Sequence, residues 1–242
     1  MTNRQGTLRA AALAAASALA AALAAGPAAA EGPAPQVLAY GADSFRDGGG
    51  YGLLGAIVGL DTLDKEGVVF NGQVEYLNFD YRNSGGRLVN FDGYGGSAMV
   101  GYQFVWDQGN SWAFYAGATY RDLDVKQAGE DPDFEGGNTS LRLETQMHFG
   151  ENAPVDFTGI AYYVSNSSEF FARGQLGVKL TDYLAIGPEV RVQGSTEYDG
   201  VAGGGFVRVR LLDNLTVSAN GGYEDMGELR SGYFGFEAGL GF

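Results

Sequence analysis

The chain has 242 residues, no cysteine and one histidine, His148, which excludes disulfide frameworks, thiolate metal sites and paired-histidine metal sites. It holds 40 glycines, 14 tyrosines and 15 phenylalanines at a formal charge of −14; this composition is unlike a typical α/β enzyme, and the acidity disfavours binding to nucleic-acid phosphates. Mean hydropathy near zero excludes a bundle of membrane helices.

At the N-terminus, Arg4 and Arg9 precede an apolar run from Ala10 to Ala25, all alanine and leucine except Ser17. Gly26-Pro27 breaks the run, and Ala28-Ala29-Ala30 ends it in small residues. That order predicts a secretory signal peptide over 1–30, cleaved after Ala30, with 31–35 as a short leader. A transmembrane anchor would need a longer and more apolar run. Residues 1–30 hold two basic residues and no acid, so their removal leaves a net charge of −16.

From residue 36 to 242 the apolar residues recur with period two instead of helical spacing. About twelve strands are predicted, near 36–46, 51–61, 68–82, 93–106, 111–126, 138–149, 155–166, 169–180, 183–197, 200–212, 215–224 and 231–242. In the sixth, Leu141, Leu143, Thr145, Met147 and Phe149 face one side, against Arg142, Glu144, Gln146 and His148. In the eighth, Leu176, Val178 and Leu180 oppose Arg173, Gln175 and Lys179. In the ninth, Ile186, Val190 and Val192 oppose Glu189, Arg191 and Gln193, and the last strand sets Phe234, Phe236 and Leu240 against Tyr233 and Glu237.

Strands this long suit a membrane-crossing barrel, which needs about 9–11 residues per strand, better than soluble sheets of about 5–6. An even strand number with alternating short and long connections is the pattern of an antiparallel up-and-down transmembrane β-barrel in the outer membrane of a Gram-negative bacterium. The short set is 62–67, 108–110, 151–154, 181–182 and 213–214; the other set includes 83–92 and 128–137. Aromatics cluster at the strand ends: Phe104, Trp106, Trp112, Phe149, Phe157, Tyr183 and Phe242 toward the periplasm, and Phe79, Tyr81, Tyr120, Tyr163, Phe170, Tyr198, Tyr223 and Tyr233 toward the outside. They predict two girdles at the lipid–water interfaces. A secreted soluble barrel or sandwich would also alternate, but with shorter strands and the apolar face inward.

In lipid the sheet must close, and its polar face must line the lumen. That expectation places Gln73, Glu75, Arg121, Arg142, Glu144, Gln146, His148, Arg173, Gln175, Lys179, Glu189, Arg191, Gln193, Arg208, Arg210 and Glu237 inside. Pairs of Glu189 with Arg173 or Arg208 are expected across adjoining strands. The lining either forms a narrow polar channel or plugs the bore.

No other motif carries chemistry. Asp131-Pro-Asp133-Phe-Glu135-Gly136 opens like a calcium loop, but its twelfth position is Arg142, so the bidentate ligand is missing; a weak cation site in a solvated loop is all it could offer. Gly203-Gly204-Gly205 has no strand–loop–helix context for phosphate. His148 has no nucleophile motif around it, which favours a lumenal hydrogen-bonding role over catalysis. The expectation is a non-enzymatic protein without cofactor or metal.

Several segments together resemble the cellulose biosynthesis protein BcsS family of α-proteobacteria: Gly101-Tyr-Gln-Phe104, Tyr115-Ala-Gly-Ala-Thr-Tyr-Arg-Asp122, Ala161-Tyr-Tyr163 leading to Phe171-Ala-Arg173, Gly187-Pro-Glu189 and Tyr198-Asp-Gly200. The resemblance covers most of 40–242 and is less distinct at Gly41-Ala-Asp-Ser-Phe45. It implies a setting of cellulose export, with the export machinery as a partner beside outer-membrane lipid. It carries no functional residues, and no synthase motif is present. The terminal Phe242 resembles the aromatic that outer-membrane proteins show to the barrel assembly machinery. The expected role is an accessory barrel of cellulose biosynthesis; the alternative is a small-solute or oligosaccharide channel unrelated to cellulose.

Overall fold

A computed structural model describes residues 36–46, 49–82, 88–106, 109–125, 136–196, 198–226 and 229–242. The expected signal peptide and leader, and the calcium-like loop up to Glu135, lie outside the described residues. Twelve strands run in order: β1 (Val37–Arg46), β2 (Gly49–Gly59), β3 (Gly67–Arg82), β4 (Leu88–Trp106), β5 (Asn110–Val125), β6 (Gly136–Phe149), β7 (Val155–Val164), β8 (Glu169–Thr181), β9 (Leu184–Gly194), β10 (Asp199–Leu212), β11 (Leu215–Met226) and β12 (Leu229–Gly241). Each pairs antiparallel with its neighbours in sequence, and β1 pairs with β12 to close the barrel.

The boundaries match the predicted strands closely, with two instructive differences. β4 starts at Leu88, because the β3–β4 ladder continues to Arg82 opposite Leu88. β9 stops at Gly194, where Ser195 N–H turns back to the Tyr198 carbonyl at 2.7 Å.

Burial is inverted relative to a soluble protein. On β3, Val74 is 61% exposed and its neighbour Glu75 only 4%. Leu141, Leu143, Leu176, Val178, Val190, Phe234 and Phe236 are likewise exposed, whereas Arg142, Glu144, Gln175 and Glu189 are buried. An apolar exterior around a polar interior is the lipid-facing pattern, and it removes the soluble-sandwich alternative. At the end with the short turns, Phe104 packs edge-on to Tyr102 and Phe114, and Trp106 lies against Phe149, which stacks on Phe157. Tyr120, Tyr163, Phe170 and Tyr223 are exposed at the other end. The side chains of Phe79 and Tyr81 lie outside the described residues.

Two tyrosines expected in the outer girdle point inward. Tyr233 is buried and donates from its hydroxyl to Glu189 Oε1 at 3.0 Å. It crosses two strands to get there, lying over the Gly204–Gly222 pair; a Cβ on Gly204 would stand 2.6 Å from the Tyr233 hydroxyl. Tyr198, in the β9–β10 connection, also turns in. Burial first, and the Glu169 carboxylate second, push its phenol well above the usual tyrosine range.

The interior is not polar throughout. Ile57, Val69, Met99, Ala113 and Tyr115 form a buried cluster at the short-turn end, closed by Leu63 from the β2–β3 turn. Gln103 Nε2 pins that turn by donating to the Leu63 carbonyl at 2.7 Å. A second cluster, Leu77, Val89, Phe91 and Leu123 with Tyr51 against it, lies at the outer end of β2–β5.

Candidate functional site in the barrel lumen

Alternation sends every second side chain of a strand inward, and most of the inward charges assemble into two connected groups. On the β3–β6 side, Arg142 donates from Nε and Nη2 to Glu144 Oε2 at 3.0 and 2.6 Å. Gln146 and Asn71 donate to Glu144 Oε1 at 2.7 and 3.1 Å, and Tyr40 donates to Asn71 at 2.6 Å. The Arg142 guanidinium lies over the Tyr162 ring, 4.0 Å from its centroid. Arg121 donates from Nε to Glu75 Oε1 and from Nη1 to Glu169 Oε2, while Tyr162 donates to Glu169 Oε1 at 2.9 Å.

On the β7–β12 side, Glu189 is the hub. It accepts from Gln175 at 2.6 Å, from Arg191 Nε at 2.7 Å and from Tyr233 at 3.0 Å. Arg191 continues to Asn220 at 2.8 Å and to Ser44 at 3.2 Å. Arg173 forks onto Glu237, with Nη2 3.0 Å from Oε2, and Asn220 donates to Glu237 Oε1 at 2.9 Å. Arg208 joins Asp156 at 2.8 Å, Gln175 at 2.9 Å and Thr158 at 3.2 Å. Nearer the outer end, Glu224 accepts from Arg46 at 3.0 Å and from Gln193 at 2.8 Å.

The expected partners of Glu189 are replaced. Gln175 and Gly204 stand opposite it in the two ladders, so neither Arg173 nor Arg208 is its cross-strand neighbour. Both arginines cross the bore instead, to β12 and β7. Lys179 and Arg210 stand at the short-turn rim. Lys179 Nζ donates to the Gly150 and Glu151 carbonyls, and Arg210 lies 3.6 Å from Glu151 with both side chains over two-fifths exposed, an ion pair worth little. His148 Nδ1 lies 3.4 Å from the Thr158 hydroxyl.

Sequence reasoning did not name Arg46, Asn71, Asp156, Thr158, Tyr162, Glu169, Asn220 or Glu224 as lumenal. Their signal was strand parity: Asp156 and Thr158 face inward opposite Gly177 and Gln175, just as Glu169 shares the parity of Arg173.

Among the described residues, six arginines meet seven carboxylates in these ion pairs, so the paired charge is close to neutral although the chain is strongly acidic. Buried charges paired this way hold one another in place, and removing one partner strands the other.

A closed antiparallel barrel with an apolar exterior and a charged interior is an outer-membrane β-barrel. Its family is more specific: residues 38–241 match the family of cellulose biosynthesis protein BcsS, and the chain belongs to it. A search of curated protein sequences returned no match. Among solved structures, the translocator domain of the autotransporter NalP from Neisseria meningitidis is similar at a TM-score of 0.51 and 10% identity, covering 96% of this chain and 97% of that one. The KdgM porin in complex with disordered oligogalacturonate is similar at 0.50 and 8% identity, covering 85% and 99%. The TodX monoaromatic hydrocarbon channel, a deletion mutant, is similar at 0.51 and 7% identity, covering 87% and 91%. At such identities the likeness is one of fold.

Proposed function

We propose that the protein is a non-catalytic accessory barrel of bacterial cellulose biosynthesis, anchored in outer-membrane lipid, with its bore plugged by the lumenal network. One observation carries the plug: Arg142, Gln175 and Glu189 are only 1–2% exposed although they face the lumen. Side chains lining a wet channel would touch solvent. Family membership supports the cellulose setting. The reading includes export through the 1–30 segment and delivery to the barrel assembly machinery through Phe242, which is exposed after β12. The cellulose export machinery is its expected partner.

The test is cellulose output, cell-bound and released, in a deletion strain and its complemented counterpart. Restorable loss of cellulose supports the accessory role. Unchanged cellulose together with discrete conductance of the purified barrel in planar bilayers would replace it with the small-solute or oligosaccharide channel.

A further inference from the structure

Glu75, Arg121, Glu169, Tyr162 and Arg142 close a ring inside the barrel through the contacts given above. Two buried atoms of this ring have no hydrogen-bond partner: Arg121 Nη2, a donor, and Glu75 Oε2, an acceptor. The two residues are 8% and 4% exposed. Arg142 Nη1 comes no nearer to Glu75 Oε2 than 4.0 Å. Buried polar atoms in native proteins are almost always satisfied by protein, water or ligand, so the pair defines what a guest must supply.

The guest must accept from Arg121 and donate to Glu75, which is what a hydroxyl does. It must also be neutral: Arg121 and Arg142 already face three carboxylates, Glu75, Glu169 and Glu144, so an anion would be repelled in a desolvated place, and a cation has no lone pair to accept from Arg121. The walls are aromatic. Tyr162 stacks on Phe171 at 5.4 Å, Tyr51 packs on the outer apolar cluster, and Tyr198 turns in from the β9–β10 connection. The ring lies toward the outer end: Glu169 is the first residue of β8, beside an outer turn, and its side chain keeps 15% exposure.

We infer that this ring is a binding site for the end of a neutral glycan chain entering from the outer face, one sugar hydroxyl bridging Arg121 Nη2 and Glu75 Oε2. The choice of a β-1,4-glucan as probe rests on the cellulose reading above. The experiment is calorimetric titration of the purified full-length barrel in detergent micelles with cellotetraose, beside tetragalacturonate as its acidic counterpart. Cellotetraose should bind, tetragalacturonate should not, and Glu75→Gln and Arg121→Lys should each weaken binding at least tenfold. Each variant is first checked for folding by its gel shift on boiling. Should neither fold, Tyr198→Ala, which lies outside the strands, should still weaken binding. No binding to the folded wild-type barrel, equal binding of both sugars, or folded variants that bind normally would overturn the inference. The deletion strain judges the accessory role separately: cellulose loss without cellotetraose binding sinks the ring alone, and binding without cellulose loss sinks the accessory role alone.

Discussion

Single residues in this barrel are tied to their surroundings in opposite ways on its two faces. Arg142→Ala would leave Glu144 buried without its cation; we expect a loss of about 3–5 kcal/mol in urea unfolding from micelles. Gly204→Ala would place a Cβ 2.3 Å from the Gly221 carbonyl and under the Tyr233 hydroxyl, at a cost of about 1–3 kcal/mol. Gly203→Ala, one position away with open space around it, should leave the unfolding midpoint unchanged. The inward faces of β6, β8 and β9 were legible at this scale, because a charge at every second position among leucines and valines has one stable placement. The partners were not. Arg173 finds Glu237 64 residues away, and no local spacing encodes a contact made across a bore. Tyr233 was expected in the girdle from its place near a strand end, although its parity with Glu237 already put it on the inward face; the glycines it lies on let it reach Glu189.

At the scale of elements, period two was enough to place twelve strands, since side-chain direction is the one property a strand writes directly into sequence. It carried less in β1 and β2, where Gly41, Gly49, Gly50, Gly52 and Gly55 thin out the pattern. It also hid the two apolar clusters inside the barrel, where Val69 and Leu77 share the inward face of β3 with Asn71, Gln73 and Glu75. The lipid face gives the clearest test of orientation. Val74→Arg on β3 should destabilise by about 2–4 kcal/mol if it lies near the bilayer midplane, whereas the same change at exposed Tyr183, in a short turn at the rim, should be close to neutral. Equal costs at both sites, read from unfolding in lipid vesicles, would contradict the placement of the lipid belt.

For the whole molecule, closure by β1 on β12 predicts a folded form that migrates differently from the boiled one in SDS gels. The plug predicts silence in planar bilayers for the wild-type barrel. Arg121→Ala combined with Arg173→Ala removes a cross-bore side chain from each group, and the variant should show discrete openings if it folds. Conductance in the wild type at the level of the double variant would rule out a closed bore.

The arginines that cross the bore also have a mechanical meaning. An empty cylinder of hydrogen-bonded strands flattens readily when squeezed from one side, because its wall can bend without breaking a rung. Arg121, Arg173 and Arg208 join walls that are not neighbours, and so act as cross-braces. Such a barrel keeps its round section under sideways load and passes force from one flank to the other. It is a rigid post for whatever leans on it from the membrane.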